Sequence, residues 1–275
     1  MGLHALDDVA GGAAGIDPTH QARLGLKGRF PFLVPLVRAS RLVVNQFRYP
    51  GLATALDLHG RVMAGPFQGL RLRCSGVSWD YFEALGVHEQ CLYPVLEEII
   101  ARQPGRVINV GAAFGYYALG LARRLALSKV VAYELDGSRA RFIRTWARRN
   151  ALEDCVEVRG MCGTKELARD LSLAPGAFVL MDVEGAEDTL LDLALVPGLR
   201  GAEILAELHE NFVPGVTARL RGRFCETHDI ALIPHAPNRK LERYGRADWL
   251  VRRHWDRVAA GEHDQEMAWL HLRPK

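Results

Sequence analysis

No apolar run in this sequence approaches the roughly 20 residues that a membrane-crossing helix needs, so no membrane partner is expected. Cysteine is scarce. Cys74, Cys91, Cys155, Cys162 and Cys225 are odd in number and form no C-x-x-C pair. That argues against a disulfide frame or a thiolate zinc site, and fits the reduced thiols of a cytoplasmic protein. Charge of either sign is also lacking in excess: 35 Lys and Arg face 32 Asp and Glu, a formal net charge of +3. No nucleic-acid footprint is expected from so even a balance. Asp7 and Asp8 interrupt the first residues where a secretory signal would place its apolar core. No internal repeat is visible. What is present is ordinary for a globular chain: 49% apolar and 24% charged residues over 275 positions, enough for one generous domain or one domain with additions.

One more absence is informative. Val107-Ile-Asn-Val110 reads as a short buried strand, Gly111-Ala-Ala-Phe-Gly115 as a tight loop, and Tyr116 onward as a helix with Tyr117, Leu121 and Leu125 on one stripe. Strand, glycine turn and helix form the first unit of a nucleotide-binding α/β sheet. A dinucleotide fingerprint needs a second glycine that is missing here, and Tyr116 fills the third glycine position. That counts against a pyrophosphate. The next strand, Lys129 to Leu135, contains Glu134 about 20 residues past the loop, where an acid can accept ribose hydroxyls. Ribose recognition without a pyrophosphate cradle points to S-adenosylmethionine. The plain alternative is a structural turn beside an unrelated surface Glu.

Further elements follow in order. Residues 1–30 read as a loose lead-in, Phe32 to Phe47 as helical, and Arg61 to Cys74 as two strands of a small hairpin. Helices follow between Ser78 and Arg102, with His88 and Glu89 at their joint: either solvent-exposed cap residues or a cover for the cofactor's amino-acid end. A basic helix spans Ser138 to Asn150. Val156 to Arg159 is a strand running into Gly160-Met-Cys-Gly163, where Met161 and Cys162 can meet an adenine or simply form a turn. Strands at Ala177 to Met181 and Ala202 to Glu207 end in acids, with a helix from Asp188 to Leu195 between them. Thr227 to Ile233 and Met267 to Leu272 read as late strands of an antiparallel edge, separated by a loop at Pro234 to Arg246 and a helix near Asp248 to Val258. Strand carboxyl ends face the ligand crevice in such sheets, so Asn109, Glu134, Asp182, Glu207 and His209 should crowd one edge.

With these residues in view, the chain resembles the FkbM-type S-adenosylmethionine-dependent methyltransferases. The matching pieces are Asn109-Val-Gly-Ala-Ala-Phe-Gly-Tyr-Tyr117, Tyr133-Glu-Leu-Asp136, Asp182-Val-Glu-Gly-Ala-Glu187 and Glu207-Leu-His209. The resemblance covers about residues 85–212 and implies an α/β, Rossmann-like seven-stranded sheet, mostly parallel with one antiparallel edge strand; the domain is read as residues 85–275, preceded by an extension at 1–84. It also implies methyl transfer to a hydroxyl of a sugar, glycan or natural product. Three positions depart from the family pattern: Asn109 stands for a usual Asp, Ala113 for a common Asn, and Leu135 for a common Pro.

The candidate cofactor residues are Glu89, Asn109, Gly111, Ala112, Ala113, Gly115, Tyr116, Glu134, Leu135, Met161, Cys162 and Asp182. Asp182, His209 and Glu184 are the candidate catalytic groups. Asp182 can orient or deprotonate an acceptor, and His209 is the other base. Glu184 and Glu187 read equally as helix-start carboxylates. Magnesium between Asp182 and Glu207, with His209 as a further ligand, is the metal-bound version of the site, against which Leu208 offers no donor. A non-catalytic cofactor-binding domain and a nicotinamide-dependent oxidoreductase compete with the methyltransferase reading. Nothing in the sequence reads out the oligomeric state.

Overall fold

The computed structural model describes residues 60–72, 78–126, 128–235, 240–245, 248–259 and 267–275. The helix read at Phe32 to Phe47 and the lead-in before it lie outside the described residues. Seven strands form one sheet: β1 Arg106–Val110, β2 Lys129–Tyr133, β3 Val156–Arg159, β4 Phe178–Met181, β5 Glu203–Leu208, β6 His228–Pro234 and β7 Ala268–Pro274. Their order is β3-β2-β1-β4-β5-β7-β6. β1 to β5 pair in parallel, while β7 runs antiparallel to both β5 and β6. The sheet is therefore Rossmann-like and mostly parallel, with its antiparallel strand at the late edge, one place in.

The described helices are α1 Ser78–Leu85, α2 Tyr93–Arg102, α3 Tyr116–Arg124, α4 Gly137–Arg149, α5 Thr164–Ser172, the single turn α6 Glu187–Leu190, α7 Val216–Phe224 and α8 Asp248–Ala259. Parallel strands need crossovers, and these helices cover both faces of the sheet. Alternate strand residues therefore enter two cores. Val107, Val130, Leu180 and Leu205 pack on one side. Ile108, Val110, Val131, Val179, Met181 and Ile204 pack on the other. With both faces buried, the strands read as continuous apolar runs instead of alternating ones. No described helix is long and apolar enough to cross a membrane.

Three expectations need correction. The segment 60–72 forms no strand; it makes a turn closed by Val62 N–H donating to Leu70 and Gly69 N–H donating to Val62, both at 2.8 Å. Its apolar side chains do not face a partner strand but insert into the core beside α3. Phe67 is fully buried there, and a Cβ on Gly120 would lie 2.3 Å from its ring. The helix after Asp182 is only α6, because the Asp192 carboxylate accepts from the backbone N–H of Ala194 and Leu195 and turns the chain. Finally, α5 is an element that the sequence pattern does not announce. Its apolar signal is just Leu167 and Leu171, spaced four apart.

β1 lies between β2 and β4, which follow it in sequence on opposite sides. The strand order reverses there, and the carboxyl ends of the strands open a crevice at that point.

Candidate functional site

The loop after β1 is clamped between its neighbours. Gly111 and Ala112 donate their N–H groups to Tyr133 C=O at 3.0 and 2.9 Å, and Asp182 N–H donates to Val110 C=O at 3.0 Å. Gly111 has φ +81°, and a Cβ there would sit 1.7 Å from the Asp182 carbonyl oxygen. Glycine is thus required on two grounds, conformation and close approach. Gly115 closes the loop at the start of α3, donating to Ala112 C=O at 2.7 Å. Ala113, between them, adopts φ +49° without being glycine.

Ala113 N–H points at Glu134, whose Oε2 accepts it at 2.8 Å. The other Glu134 oxygen accepts from Asp136 N–H at 2.7 Å. Asp136 in turn caps α4 through Ser138 and Arg139 N–H. Glu134 is therefore fixed by two backbone hydrogen bonds, one to the loop and one to the capped start of α4. Burial raises its pKa, with the Asp136 hydrogen bond and the Arg139 charge working the other way. Leu135 and Met161 stand exposed near it, at 76% and 69% of full exposure, and Cys162 is half-buried. Asn109 is buried behind the loop. Its Nδ2 makes a long bond of 3.4 Å to Leu180 C=O, and its Oδ1 has no hydrogen-bond partner.

The joint between α1 and α2 is not a solvent-exposed cap. Glu89 has φ +45° and is 7% exposed. It accepts from the Tyr117 hydroxyl and, at 3.0 Å, from Trp269 Nε1–H of β7, while His88 Nε2 lies 3.3 Å away. Burial works to raise the Glu89 pKa, but His88 and these hydrogen bonds outweigh it and leave the group below its ordinary value. Tyr116, read as a cofactor contact, is buried at the start of α3. Its ring is buried edge-on to Phe67 at 5.1 Å, because the first turn of α3 points that side chain into the core.

At the ends of β4 and β5 the acids converge as expected. His209 is at the centre and is buried. Its Nδ1 lies 2.7 Å from Glu187 Oε1, and Glu187 is fully buried. That oxygen also accepts long bonds from Val183 and Gly185 N–H. Glu187 thus does more than favour a helix start: it orients a histidine. His209 Nε2 faces Glu184 Oε2 at 3.5 Å, Glu207 Oε2 at 3.6 Å and Asp182 Oδ1 at 3.7 Å. Burial lowers the His209 pKa, but the Glu187 bond and the surrounding carboxylates prevail and raise it. Phe212 stacks on the imidazole at 5.7 Å.

Burial raises the Asp182 pKa to about 6, with help from the charges of Glu184 and Glu89 and against a hydrogen bond from Glu207. Glu207 is pushed higher still by burial and by the Asp182 and Glu89 charges. Burial and the neighbouring carboxylates thus favour the protonated form of both acids, Glu207 above all. Asp182 is the open member of the group, its side chain 36% exposed against 5% for Glu207 and 3% for His209. Asp182, Glu207 and His209 offer ligand atoms that all lie within 4.8 Å of one another.

The sequence does not reveal Tyr117 and Trp269 as partners of Glu89. Their only signal is a polar-tipped aromatic on a buried stripe, which packing explains equally well.

No family model matches this chain, and no curated protein matches it. Among solved structures it is similar to the O-methyltransferase TomG from Streptomyces achromogenes, involved in tomaymycin synthesis, in complex with SAM: 14% identity over 71% of this chain and 86% of that one, TM-score 0.46. It is also similar to a methyltransferase from Geobacter sulfurreducens (15%, 66% and 77%, TM-score 0.44) and to the O-methyltransferase from Bacillus cereus in complex with SAH (14%, 65% and 79%, TM-score 0.42). The fold and site together define a Rossmann-like α/β protein with an acidic crevice at the carboxyl edge of its sheet. What that crevice can do rests on its own residues.

Proposed function

We propose that this chain is an S-adenosylmethionine-dependent methyltransferase of the FkbM type, acting on a hydroxyl of a small-molecule or glycan acceptor. One observation carries the reading: Glu134 and Asp182 lie on either side of the single loop Gly111–Gly115. Glu134 grips the loop through Ala113 N–H, and the Asp182 carbonyl abuts Gly111. A ribose on Glu134 would put the adenine between exposed Leu135 and Met161, and the sulfonium toward Asp182. Asn109 Oδ1, buried and unpartnered, is an acceptor suited to the cofactor's ammonium group.

The acceptor oxygen attacks the methyl carbon. The carbon–sulfur bond breaks, its electron pair neutralises the sulfonium, and S-adenosylhomocysteine leaves. The hydroxyl proton passes to Asp182 or His209. Asp182 has the solvent access to meet the acceptor, and Glu187 holds His209 in the tautomer whose Nε2 can take a proton. Alignment of oxygen and methyl supplies several kcal/mol of the barrier reduction. The domain is read as residues 85–275, with 1–84 as its extension. Free Cys91, Cys155, Cys162 and Cys225 suit a cytoplasmic setting.

Calorimetry tests this directly. S-adenosylhomocysteine should bind saturably and NADH should give no heat. Glu134→Ala should weaken S-adenosylhomocysteine by about tenfold or more, the loss expected when charge-assisted hydrogen bonds to a ligand are removed. Unchanged affinity in that variant removes Glu134 from the ribose, and binding without methyl transfer to any hydroxyl acceptor would favour a non-catalytic domain.

A further inference from the structure

Phe212 stands 55% exposed with its ring against His209. A lone exposed apolar side chain needs no explanation, but this one is built in. Its N–H donates to His209 C=O at 3.0 Å, and Val213 N–H donates to the same oxygen at 2.9 Å. Further along the turn, the Glu210 carboxylate accepts from Gly215 N–H at 2.6 Å and from Thr217 N–H at 2.8 Å, tying the turn to the start of α7. Gly185, in the turn after β4, packs against the base of the ring. Its φ is +105°, and a Cβ there would lie 3.2 Å from Phe212 Cβ. The ring is thus held with one face toward the imidazole, 18° from parallel, while much of its surface meets solvent. Covering that surface with a ligand would be favourable, and a ring already fixed loses little freedom on binding.

The neighbouring groups define what can cover it. The side chains that meet His209 Nε2 are the carboxylates of Asp182, Glu184 and Glu207. Asp182 and Glu184 are the open ones, with side chains 36% and 65% exposed. An ionised carboxylate accepts hydrogen bonds and donates none, so the ligand must bring hydroxyl donors. A carboxylate also repels an anionic ligand. The face of a phenyl ring is negative and attracts the positive C–H edge or face of another ring. A neutral ring with hydroxyls on its rim meets both demands. An acyclic polyol has the hydroxyls but not the rigid face, and must be ordered to bind.

We propose that Phe212 is a specificity-determining residue: the acceptor's ring lies on it while a rim hydroxyl meets Asp182. A saturated sugar ring and a phenol share the chemistry that this seat selects. The assignment rests on the methyl-transfer reading for what then happens to the hydroxyl; the seat itself stands on these side chains.

Saturation-transfer NMR on the full chain tests the seat without turnover. The probes are methyl β-D-glucopyranoside, catechol, sorbitol and glucuronate. At least one of the two neutral rings should take saturation on its ring protons, with sorbitol and glucuronate about fivefold weaker or less. Phe212→Ala should cut the ring signal by about 5–10-fold, and Phe212→Tyr should keep it. Circular dichroism checks that both variants fold, and calorimetry should find their S-adenosylhomocysteine affinity unchanged. The ring that gives the signal is then offered with methyl-tritiated S-adenosylmethionine. Phe212→Ala should raise its KM by about tenfold with kcat within about twofold. A ring that only shields His209 from water would lower kcat and leave KM alone. That result overturns the proposal, as does no saturation of either ring, equal saturation in Phe212→Ala, or a preference for sorbitol or glucuronate. Ring contact without S-adenosylhomocysteine binding, or without transfer, sinks the methyl-transfer reading and keeps the seat; cofactor binding without ring contact sinks the seat alone.

Discussion

Ala113 shows how much a single backbone angle can reveal. Its φ of +49° is a conformation that costs a non-glycine residue about 1–2 kcal/mol. The strain persists because that angle turns the N–H toward Glu134. Ala113→Gly should therefore stabilise the protein by roughly 0.5–1 kcal/mol, the relieved strain less glycine's greater unfolded-state entropy. Urea unfolding measures this, and a fall in stability would mean the alanine methyl packs usefully. Asn tolerates the same angle more readily than Ala. Alanine at this position thus carries a conformational cost. Asp182, Glu207 and His209 are nameable from sequence because each ends or follows a strand. Glu187's grip on His209 is not, since the chain must turn between them and no spacing rule announces that.

At the scale of elements, α5 is the most informative. Asp170 on its inner face is fully buried and accepts from the Tyr133 hydroxyl of β2 at 2.7 Å and from Arg159 of β3 at 2.6 Å. Burial works to raise its pKa, but these bonds and Arg169 win and hold it below the ordinary value. A lowered folded-state pKa adds stability that is fully present above the unfolded value of about 3.9 and is lost as pH falls through the lowered one. Acid unfolding should thus steepen below about pH 4. Asp170→Asn should be less stable at pH 7 and flatter with pH below that point, as urea midpoints measured across pH would show; an unchanged profile would remove Asp170 from the acid transition. The strands of the sheet are readable because burial on both faces forces apolar runs. Short α5 escapes because nine residues carrying two leucines give little periodic signal. The hairpin expected at 61–74 fails for a related reason. Alternating apolar residues such as Val62, Leu70 and Leu72 do mark an inward face, but here they fill a core from a turn.

The whole molecule joins its early and late segments in one core. Val62, Phe67, Leu70 and Leu72 are each no more than 5% exposed, packed with α2 and α3. Phe67→Ala should cost about 3–5 kcal/mol, measured by chemical unfolding. Beginning the chain at residue 85 should cost more than that, since all four side chains leave together. A truncated chain of undiminished stability would show that the early segment is dispensable packing. Among the described strands β6 pairs with β7 alone, and Trp269 of β7 supplies the indole bond to Glu89. On a translating ribosome, residues 228–234 would emerge with no strand to join until 268–274 have also cleared the exit tunnel. The acid at position 89, by then long synthesised, waits for the same late arrival, so this corner of the crevice is completed only once Trp269 has emerged.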